Sequence, residues 1–433
     1  MVVDSASFFY LAGETWSFGN GSSDLFLVKM NENFTQYTTW GAAESEEFTG
    51  IVVDSNDKIY IAGSTSSYGV GEKDVVLLKY NNSLELEWFS IWGHNSSDSS
   101  SRIAVDSLDN IYIAGITNFP YYDIFLMKYN STGSLQWNCT WSTKIPNITE
   151  KVLSLVIDSS DHIFLGVNTN ITGSEWCLLK YDNSGVLLVN NSYNKYIPLE
   201  LMDLDSFDNL YATGSYNDLH LAKFNNDGNL EWNITCILNL LRGTEALAID
   251  PSNNIFITGT ELINTSVIVE GYNMTDYDAY LMKFNTSGIL KWNHTLRGDN
   301  NRFPELLTFD SLGNIYLGGS IELIATKDLD VFVDIFDNSG IPIKGVGGGG
   351  EGDAFCKGIY AESPQSFFVA ENFEYWDNQN WDYEIMLTKY IEPNNYCPPL
   401  FNPTQIIFEG LFFISFIIGV VFLIKYRKSR SNL

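Results

Sequence analysis

The chain has 433 residues, of which 45% are hydrophobic and 15% aromatic, so it can bury a large core. Its formal net charge is −29, with 53 Asp and Glu against 24 Lys and Arg. Such an acidic surface repels phosphate backbones, which excludes nucleic acid as an expected partner. The abundance of Tyr, Phe and Trp favours strands and predicts a β-rich globular protein.

A motif of the form V-x-D-S-x-x-(N/K)-I-Y-(I/L)-(A/G)-G recurs along the chain. Its aspartates are Asp4, Asp54, Asp106, Asp158, Asp205, Asp250 and Asp310. A degenerate eighth copy, GIYAESPQSFFVAEN, has Ala361 at the aspartate position. Each unit contains four apolar runs of strand length, separated by Gly, Asn, Asp and Ser clusters. Repeats of about fifty residues with four strands each predict an all-β fold, a β-propeller with strands a to d in every blade.

Two stretches carry a resemblance to a known family. AVDSLDNIYIAG (104–115) and DAYLMKFNTSGILKWN (278–293) closely resemble the SBBP, or seven-bladed beta-propeller, repeats of bacterial and archaeal surface proteins. The resemblance covers residues 1 to about 391 and implies a secreted or surface-exposed propeller, with no catalytic residue shared by the family. Eight units depart from the family name, so a seven-bladed ring is the alternative to eight blades.

Residues that recur in every unit are interpreted as scaffold. The motif Asp is expected to accept hydrogen bonds in the a-to-b turn, and the Ala-Gly pair that ends strand b to allow close packing. A lysine recurs in strand c, where its stem can pack, and Asp334 is assigned to its place in unit seven. The lysines are Lys29, Lys79, Lys128, Lys180, Lys223, Lys283 and Lys389.

Calcium is an alternative role for the turn sequence DSLDN, because carboxylates and Asn carbonyls are oxygen ligands for a hard cation. The turn lacks the glycine and the distal Glu of an EF-hand loop, so a plain hairpin turn is the preferred interpretation. No other cofactor is expected. The glycine-rich stretch 345–355 lacks the following helix and the Lys-Ser/Thr pair of a phosphate-binding loop.

No catalytic motif is evident, and the four histidines fall in different repeats without metal-ligand spacing. The chain is therefore not predicted to be an enzyme. The alternative is an extracellular propeller enzyme that acts on a polysaccharide or a small substrate in the central channel. The five cysteines form no CxxC pair, which argues against zinc. Cys356 and Cys397 flank the last repeat, and they either form a disulfide in an oxidising compartment or stay free thiols.

Sequons of the form N-x-S/T are frequent and predict a glycosylated surface. They are Asn20, Asn33, Asn81, Asn95, Asn130, Asn138, Asn147, Asn170, Asn190, Asn233, Asn264, Asn273, Asn285 and Asn293. Four of them occupy equivalent positions in strand d, the outermost strand, where a glycan would project outward and block edge pairing. The alternative is an Asn- and Ser/Thr-rich β surface without glycans.

The b-to-c and d-to-a loops vary in length and content, as binding loops do. Aromatic residues in the b-to-c segments can stack on sugar rings or anchor a protein partner. These candidates are Trp16, Phe18, Tyr68, Tyr121, Tyr122, Tyr272, Tyr277, Tyr375, Trp376 and Trp381. The alternative is that these side chains pack against their own propeller.

The C-terminal region predicts membrane attachment. Residues 392–405 are rich in Pro and Asn and are predicted to form a short stalk. Residues 406–424 are apolar except for Glu409, and as a helix they would span about 28 Å, the thickness of a bilayer core. The basic tail, 425–433, places the C-terminus in the cytoplasm and residues 1–391 outside. A processed, lipid-replaced helix is the alternative.

The start of the chain predicts further sequence upstream. Met1 occupies the same place in its unit as Ile51, and no signal for export precedes it. Eight units supply strands a to c but only seven supply strand d, so the missing d strand is expected upstream of Met1 together with the signal. The predicted function is a single-pass, glycosylated cell-surface propeller for recognition or adhesion of a glycan or protein. A structural cell-envelope component is a further alternative.

Overall fold

The computed structural model describes residues 1–16, 19–31, 34–118, 122–145, 150–169, 175–237, 241–269, 272–298, 300–323, 328–348, 353–376, 381–391 and 420–424. Regular structure in these ranges is β, arranged as eight four-stranded antiparallel sheets that follow one another along the chain. Six sheets belong to a compact unit, Met1–Arg297, and two to a second unit, Gly298–Leu433. The prediction of an all-β propeller chain with eight four-stranded blades is confirmed.

Each blade orders its strands as they occur in the sequence, a to d. Blades 1 to 4 consist of β1 (Val2–Val3), β2 (Phe9–Thr15), β3 (Asp24–Asn31), β4 (Phe34–Trp40); β5 (Glu46–Val53), β6 (Ile59–Thr65), β7 (Asp74–Tyr80), β8 (Leu86–Trp92); β9 (Asp98–Val105), β10 (Ile111–Thr117), β11 (Asp123–Tyr129), β12 (Leu135–Trp141); β13 (Lys151–Ile157), β14 (Ile163–Asn168), β15 (Trp176–Tyr181), β16 (Leu187–Tyr193).

The remaining blades are built in the same way. Blades 5 to 8 consist of β17 (Leu201–Leu204), β18 (Leu210–Tyr216), β19 (Asp218–Phe224), β20 (Leu230–Cys236); β21 (Leu241–Ile249), β22 (Ile255–Val269), β23 (Tyr272–Phe284), β24 (Leu290–Leu296); β25 (Asn301–Phe309), β26 (Ile315–Glu322), β27 (Leu329–Phe336), β28 (Pro342–Gly348); β29 (Asp353–Ser363), β30 (Ser366–Trp376), β31 (Trp381–Ile391), β32 (Val420–Ile424).

The fourth strand of blade 8 differs from the expectation. β32 pairs antiparallel with β31, with Val421 opposite Thr388, so in this structure the fourth strand of blade 8 comes from the C-terminal region. Residues 420–424 also end the segment predicted to be a transmembrane helix, and they are strand instead. The reason is that the short apolar run VVFLI carries no periodicity that separates helix from strand. Residues 392–419 and 425–433, with the predicted stalk and tail, lie outside the described residues.

Across the ranges described above, we find no helix with the length and apolar content needed to cross a membrane.

Within each unit the core lies between successive blades. One cluster joins Tyr112 and Leu126 of blade 3 to Ile163, Leu165 and Leu179 of blade 4, all of them fully or almost fully buried. Side chains alternate between the two faces of a strand, so each middle strand contributes to two such clusters. The predominance of apolar residues in strands b and c follows from this packing on both faces.

The motif aspartate organises the a-to-b turn as predicted. In blade 3, Oδ1 of Asp106 accepts hydrogen bonds from the backbone N–H groups of Leu108 (2.9 Å) and Asn110 (2.8 Å). Its Oδ2 accepts the hydroxyl of Tyr112 at 3.1 Å. Both oxygens therefore serve protein donors, which supports the hairpin-turn interpretation over the calcium interpretation. The paired backbone bonds recur at Asp4, Asp54, Asp158, Asp205, Asp250 and Asp310.

The second acidic residue of the turn fastens neighbouring blades. The backbone N–H and hydroxyl of Ser107 donate to the two carboxylate oxygens of Asp161 in blade 4, at 3.0 and 3.1 Å. Asp161 adopts a left-handed conformation with φ 62°, which Asp and Asn tolerate better than other non-glycine residues. The same bonds join Ser5 to Asp57, Ser55 to Asp109 and Ser159 to Asp208. Between blades 5 and 6 an asparagine takes this place: Oδ1 of Asn253 accepts the backbone N–H of Ser206, and its Nδ2 donates to the Ser206 hydroxyl.

Four of the strand-c lysines also bridge blades, because each donates to a backbone carbonyl in the c-to-d turn of the next blade; they are Lys29, Lys79, Lys128 and Lys180. Nζ of Lys180 donates to Oδ1 of Asn226 in the next blade at 2.7 Å and lies 3.3 Å from Oδ2 of Asp158. It sits 4.6 Å from the centroid of the Phe164 ring. The lysine therefore places a buried cation between the turn aspartate of its own blade and the c-to-d turn of the next. This geometry confirms the scaffold interpretation.

The assignment of Asp334 to the lysine position of blade 7 is wrong. Ile335, opposite Tyr316, holds that place, as Lys128 does opposite Tyr112. Asp334 precedes it and points to the other face, where its carboxylate contacts Nη1 of Arg302 at 2.5 Å. A shift of one residue moves a side chain across the sheet because strand periodicity is two. The assignment of Ala361 to the aspartate position of blade 8 is wrong by one residue in the same way: Ala361 pairs with Phe367 as Val105 pairs with Ile111, so Glu362 holds that position.

Candidate functional site

Two sets of connections distinguish the faces of the blades. The a-to-b turn has five residues in each of the first seven blades. The b-to-c connection instead ranges from one residue, Asn217, in blade 5 to eight residues in blades 1 and 2. This variation confirms that the b-to-c connections differ in length from blade to blade, whereas the a-to-b turns do not. Variable connections of this kind are suited to selective binding of a ligand.

The structure separates the predicted aromatic residues into three groups. Trp16, Tyr68 and Tyr122 are exposed in b-to-c connections. Phe18 and Tyr121 lie outside the described residues. The others lie in strands, because in blades 6 and 8 strands b and c extend into long hairpins with a short connection. These residues are Tyr272 and Tyr277 in β23, Tyr375 and Trp376 in β30, and Trp381 in β31. Their placement in loops is therefore wrong, and their role in binding stays a prediction.

One predicted residue belongs to an exposed aromatic cluster that the sequence did not indicate. The ring of Tyr68 lies 5.1 Å from that of Trp40 and 6.1 Å from that of Phe89, and the rings of Trp40 and Phe89 are 5.6 Å apart. Tyr68 is 38% exposed and Phe89 47% exposed. We call Trp40, Tyr68 and Phe89 the aromatic patch. It joins the outer strands of blades 1 and 2 to the b-to-c loop of blade 2.

The position of Phe89 has a regular counterpart in the other outer strands. In blades 1 and 2 this d-strand position holds Tyr37 and Phe89, opposite Val28 and Leu78. In blades 3 to 6 it holds the exposed sequon residues Asn138, Asn190, Asn233 and Asn293. The equivalence of the four asparagines is confirmed. An alignment of the d strands would have revealed the change from aromatic residue to sequon.

The other sequons occupy several environments. Asn20 and Asn95 are exposed in loops, and Asn264 and Asn273 lie in β22 and β23. Three sequon residues begin c-to-d turns, where their side-chain oxygen accepts backbone N–H groups; they are Asn81, Asn130 and Asn285. Asn33, Asn147 and Asn170 lie outside the described residues. Glycan occupancy stays a prediction at every position.

A second exposed cluster surrounds the shortest b-to-c connection. Nζ of Lys195 donates to the hydroxyl of Tyr216 at 3.0 Å, and this bond raises the pKa of the lysine. The exposed ring of Tyr196 lies 6.3 Å from that of Tyr216 and 5.5 Å from that of the buried His220. Because Asn217 alone joins the two strands, the b-to-c connection of this blade is too short to cover these side chains. These residues are not among the predicted candidates, because they lie in a d-to-a loop and at a strand end and not in a b-to-c connection.

One buried thiol and the carboxyl beside it are held in their neutral forms. Burial raises the pKa of the Cys356 thiol to about 12 and that of the nearby Glu371 carboxyl to about 8, so both are neutral at pH 7. Cys356 forms no disulfide with another described cysteine, and its suggested partner Cys397 lies outside the described residues, so their disulfide stays a prediction. Within the described ranges, no group of three or more His, Cys, Asp and Glu side chains is arranged to hold a metal ion.

Comparison with known proteins supports the repeat. Residues 87–122, from strand d of blade 2 to the b-to-c connection of blade 3, match the SBBP family of beta-propeller repeats, which confirms the resemblance for this segment. No curated protein sequence matches the chain significantly.

Several solved structures are similar in fold. The WD40 domain of SCAP from fission yeast has 10% identity, covers 88% of each chain and gives a TM-score of 0.45. The polysaccharide lyase PL25, an ulvan lyase, has 12% identity, covers 78% of each chain and gives 0.44. The beta-propeller domain of the Trilobed protease from Pyrococcus furiosus has 8% identity, covers 78% of this chain and 92% of that chain, and gives 0.44. Likenesses at this level assign no activity.

Proposed function

We propose that the chain is a glycosylated cell-surface propeller that recognises an extracellular glycan or protein through the aromatic patch, without chemical turnover. One observation carries the proposal: an equivalent outer-strand position holds exposed aromatic side chains in blades 1 and 2 but sequons in blades 3 to 6. Glycans on those asparagines would cover the outer strands of four blades. The outer strands of blades 1 and 2 would stay open.

The chemistry of the patch supports a binding role. Exposed aromatic rings supply large apolar contact area at low conformational cost and stack on sugar rings or on a partner's side chains. Tyr68 and Phe89 are exposed although each packs against the half-buried Trp40, so the rings are held in place before a ligand arrives. Such preorganisation reduces the entropy lost on binding.

The surface location belongs to the same proposal. Sequons are modified in the secretory pathway, so glycans on strand d would place the blades outside the cell. Attachment to a membrane is proposed from the sequence alone: the apolar run that begins at Ile406 and the basic tail after it suit a segment held at a membrane surface.

The test is a binding comparison between two matched variants. The double replacement Tyr68→Ala and Phe89→Ala is expected to weaken binding by about thirtyfold or more, the loss typical of central aromatic residues in an interface. Binding of the full chain to a glycan array and to intact cells is measured. Tyr122→Ala, which removes an exposed ring from blade 3, is the control and should retain binding. Equal binding by the double variant and the native chain would contradict the proposal.

A further inference from the structure

Two pairs of buried carboxylates lie where successive blades meet. Asp24 begins strand c of blade 1 and is paired with Glu46, which begins strand a of blade 2. Asp74 and Asp98 occupy the same places in blades 2 and 3. All four side chains belong to residues that are at most 1% exposed. Fully buried acids are unusual in proteins unless a positive charge or hydrogen bonds compensate them.

A glycine after each outer strand brings the two carboxylates together. A Cβ atom on Gly41 would lie 2.0 Å from Oδ1 of Asp24 and 2.4 Å from Oε2 of Glu46. The two oxygens therefore cannot be farther apart than the sum of these distances. A Cβ atom on Gly93 would lie 1.7 Å from Oδ1 of Asp74 and 3.0 Å from Oδ2 of Asp98.

The loop satisfies only one oxygen of each strand-c aspartate. Oδ2 of Asp74 accepts the N–H groups of Val70 at 2.9 Å and Gly71 at 3.1 Å, and Oδ2 of Asp24 accepts the N–H of Gly21 at 3.2 Å. The other oxygen, Oδ1, faces the glycine in both Asp24 and Asp74, and no described residue donates a hydrogen bond to it. Oδ1 of Asp98 likewise has no donor among the described residues.

Basic groups compensate these acids poorly. Among the described residues, no Lys or Arg makes an ion pair with any of the four carboxylates. The one contact of this kind is from Nδ1 of His94, 3.5 Å from Oδ2 of Asp98. Two like charges held this close and away from water repel each other and lose solvation, so the arrangement calls for a cation.

We propose that Asp24 with Glu46, and Asp74 with Asp98, each bind one calcium ion between two blades. Calcium takes about six to eight oxygen ligands and accepts main-chain carbonyls and water beside carboxylates, so two acidic side chains suffice for a site. Candidate carbonyl ligands lie beside the loop glycines. A Cβ atom on Gly21 would lie 2.1 Å from the carbonyl oxygen of Ala42 and 2.3 Å from that of Glu44.

The next blade boundary is an internal comparison. Asp123 and Glu150 occupy the corresponding positions, but Ser142 replaces the glycine, so a Cβ atom stands where Gly41 and Gly93 have none. Thr143 donates its N–H to Oε1 of Glu150 at 2.6 Å. Burial, with a smaller effect of the charge on Asp123, raises the pKa of Glu150. The calcium proposal is limited to the two boundaries with glycine.

The first site is connected to the aromatic patch. The hydroxyl of Thr65 donates to Oε1 of Glu46 at 2.8 Å and accepts the backbone N–H of Tyr68 at 3.3 Å. Calcium on Glu46 would therefore order the loop that presents Tyr68. Calcium-dependent recognition follows, and this consequence alone rests on the proposed function.

The test is calcium binding by the full chain after removal of metal with a chelator, measured without any recognition ligand. Titration calorimetry with calcium chloride is expected to give two ions per chain, and calcium should raise the melting temperature by several degrees. Terbium should bind the same sites and emit when Trp40 and Trp92, the neighbours of the two glycines, are excited. Calcium should quench that emission by displacement.

Single variants locate the ions. Asp24→Asn and Asp74→Asn are each expected to reduce the stoichiometry from two to one, whereas Asp123→Asn should leave two. Because each Asn variant removes a buried charge, it should melt at or above the native temperature in chelator but below it in calcium. Absence of calcium uptake, or uptake unchanged in both variants, would overturn the proposal. Calcium uptake without any partner for the patch would refute the proposed function and not the sites.

Discussion

Replacing Asp106 with alanine is expected to lower the free energy of unfolding by about 3–5 kcal/mol, the loss found when one partner of a buried polar network is removed. The backbone N–H groups of Leu108 and Asn110 and the hydroxyl of Tyr112 would lose their acceptor. Lys128, whose Nζ lies 3.6 Å from Oδ2 of Asp106, would remain as a buried charge without its counterion.

The measurement is the urea midpoint of unfolding of purified chains, followed by near-ultraviolet circular dichroism, which reports the packing of tyrosine and tryptophan. Asp227→Ala is the matched control because Asp227 is exposed in a c-to-d turn of blade 5. Its midpoint should equal that of the native chain. Equal midpoints for the Asp106 variant and the control would show that the turn network does not stabilise the blades.

Gly115→Ala is expected to destabilise the chain by about 3 kcal/mol, at the upper end of the cost of overpacking. A Cβ atom there would lie 2.1 Å from the carbonyl oxygen of Ser99 and 2.6 Å from Cζ of Phe125. The oxygen belongs to strand a, whose register shifts by a bulge opposite this glycine, so backbone would have to move. The Ala-Gly pair thus serves packing within the blade at its second position.

Gly298→Ala is the matched control, because a Cβ atom at Gly298 would meet its nearest neighbour, the backbone nitrogen of Asn300, only at 3.9 Å. Its urea midpoint should not fall. The Gly115 variant should unfold at a clearly lower urea concentration and show reduced near-ultraviolet ellipticity. If both variants unfold together with the native chain, strand a is not held against strand b as closely as the structure has it.

The sequence predicted those features that depend on local chemistry repeated at a fixed period. The turn at Asp106, the lysine at position 180 and the four-strand unit each involve residues of one blade and recur from blade to blade. Their pattern is therefore visible in the sequence without knowledge of the fold. The recurrence of the second acidic residue of the turn is visible in the sequence, but its hydrogen-bond partner is not. To predict that Asp161 accepts hydrogen bonds from Ser107 of the preceding blade, one must know which blades are neighbours.

Features that depend on packing between blades were beyond the sequence. Trp40 and Phe89 are separated by 49 positions, and their contact arises because their blades pack side by side. Asp24 and Glu46 meet for the same reason. The assignment of Asp334 failed because a shift of one residue exchanges the faces of a strand. VVFLI at 420–424 was assigned to a helix because a short apolar run suits either structure.

The central claim is that the chain is exported, with glycans on the outer strands of blades 3 to 6 and an open aromatic patch on blades 1 and 2. Peptide mass spectrometry of the native protein from purified membranes tests it most directly, by glycan occupancy at Asn138, Asn190, Asn233 and Asn293. The account predicts that all four carry glycans. Four unmodified asparagines would contradict it, because the patch would then be no more open than the outer strands of its neighbours.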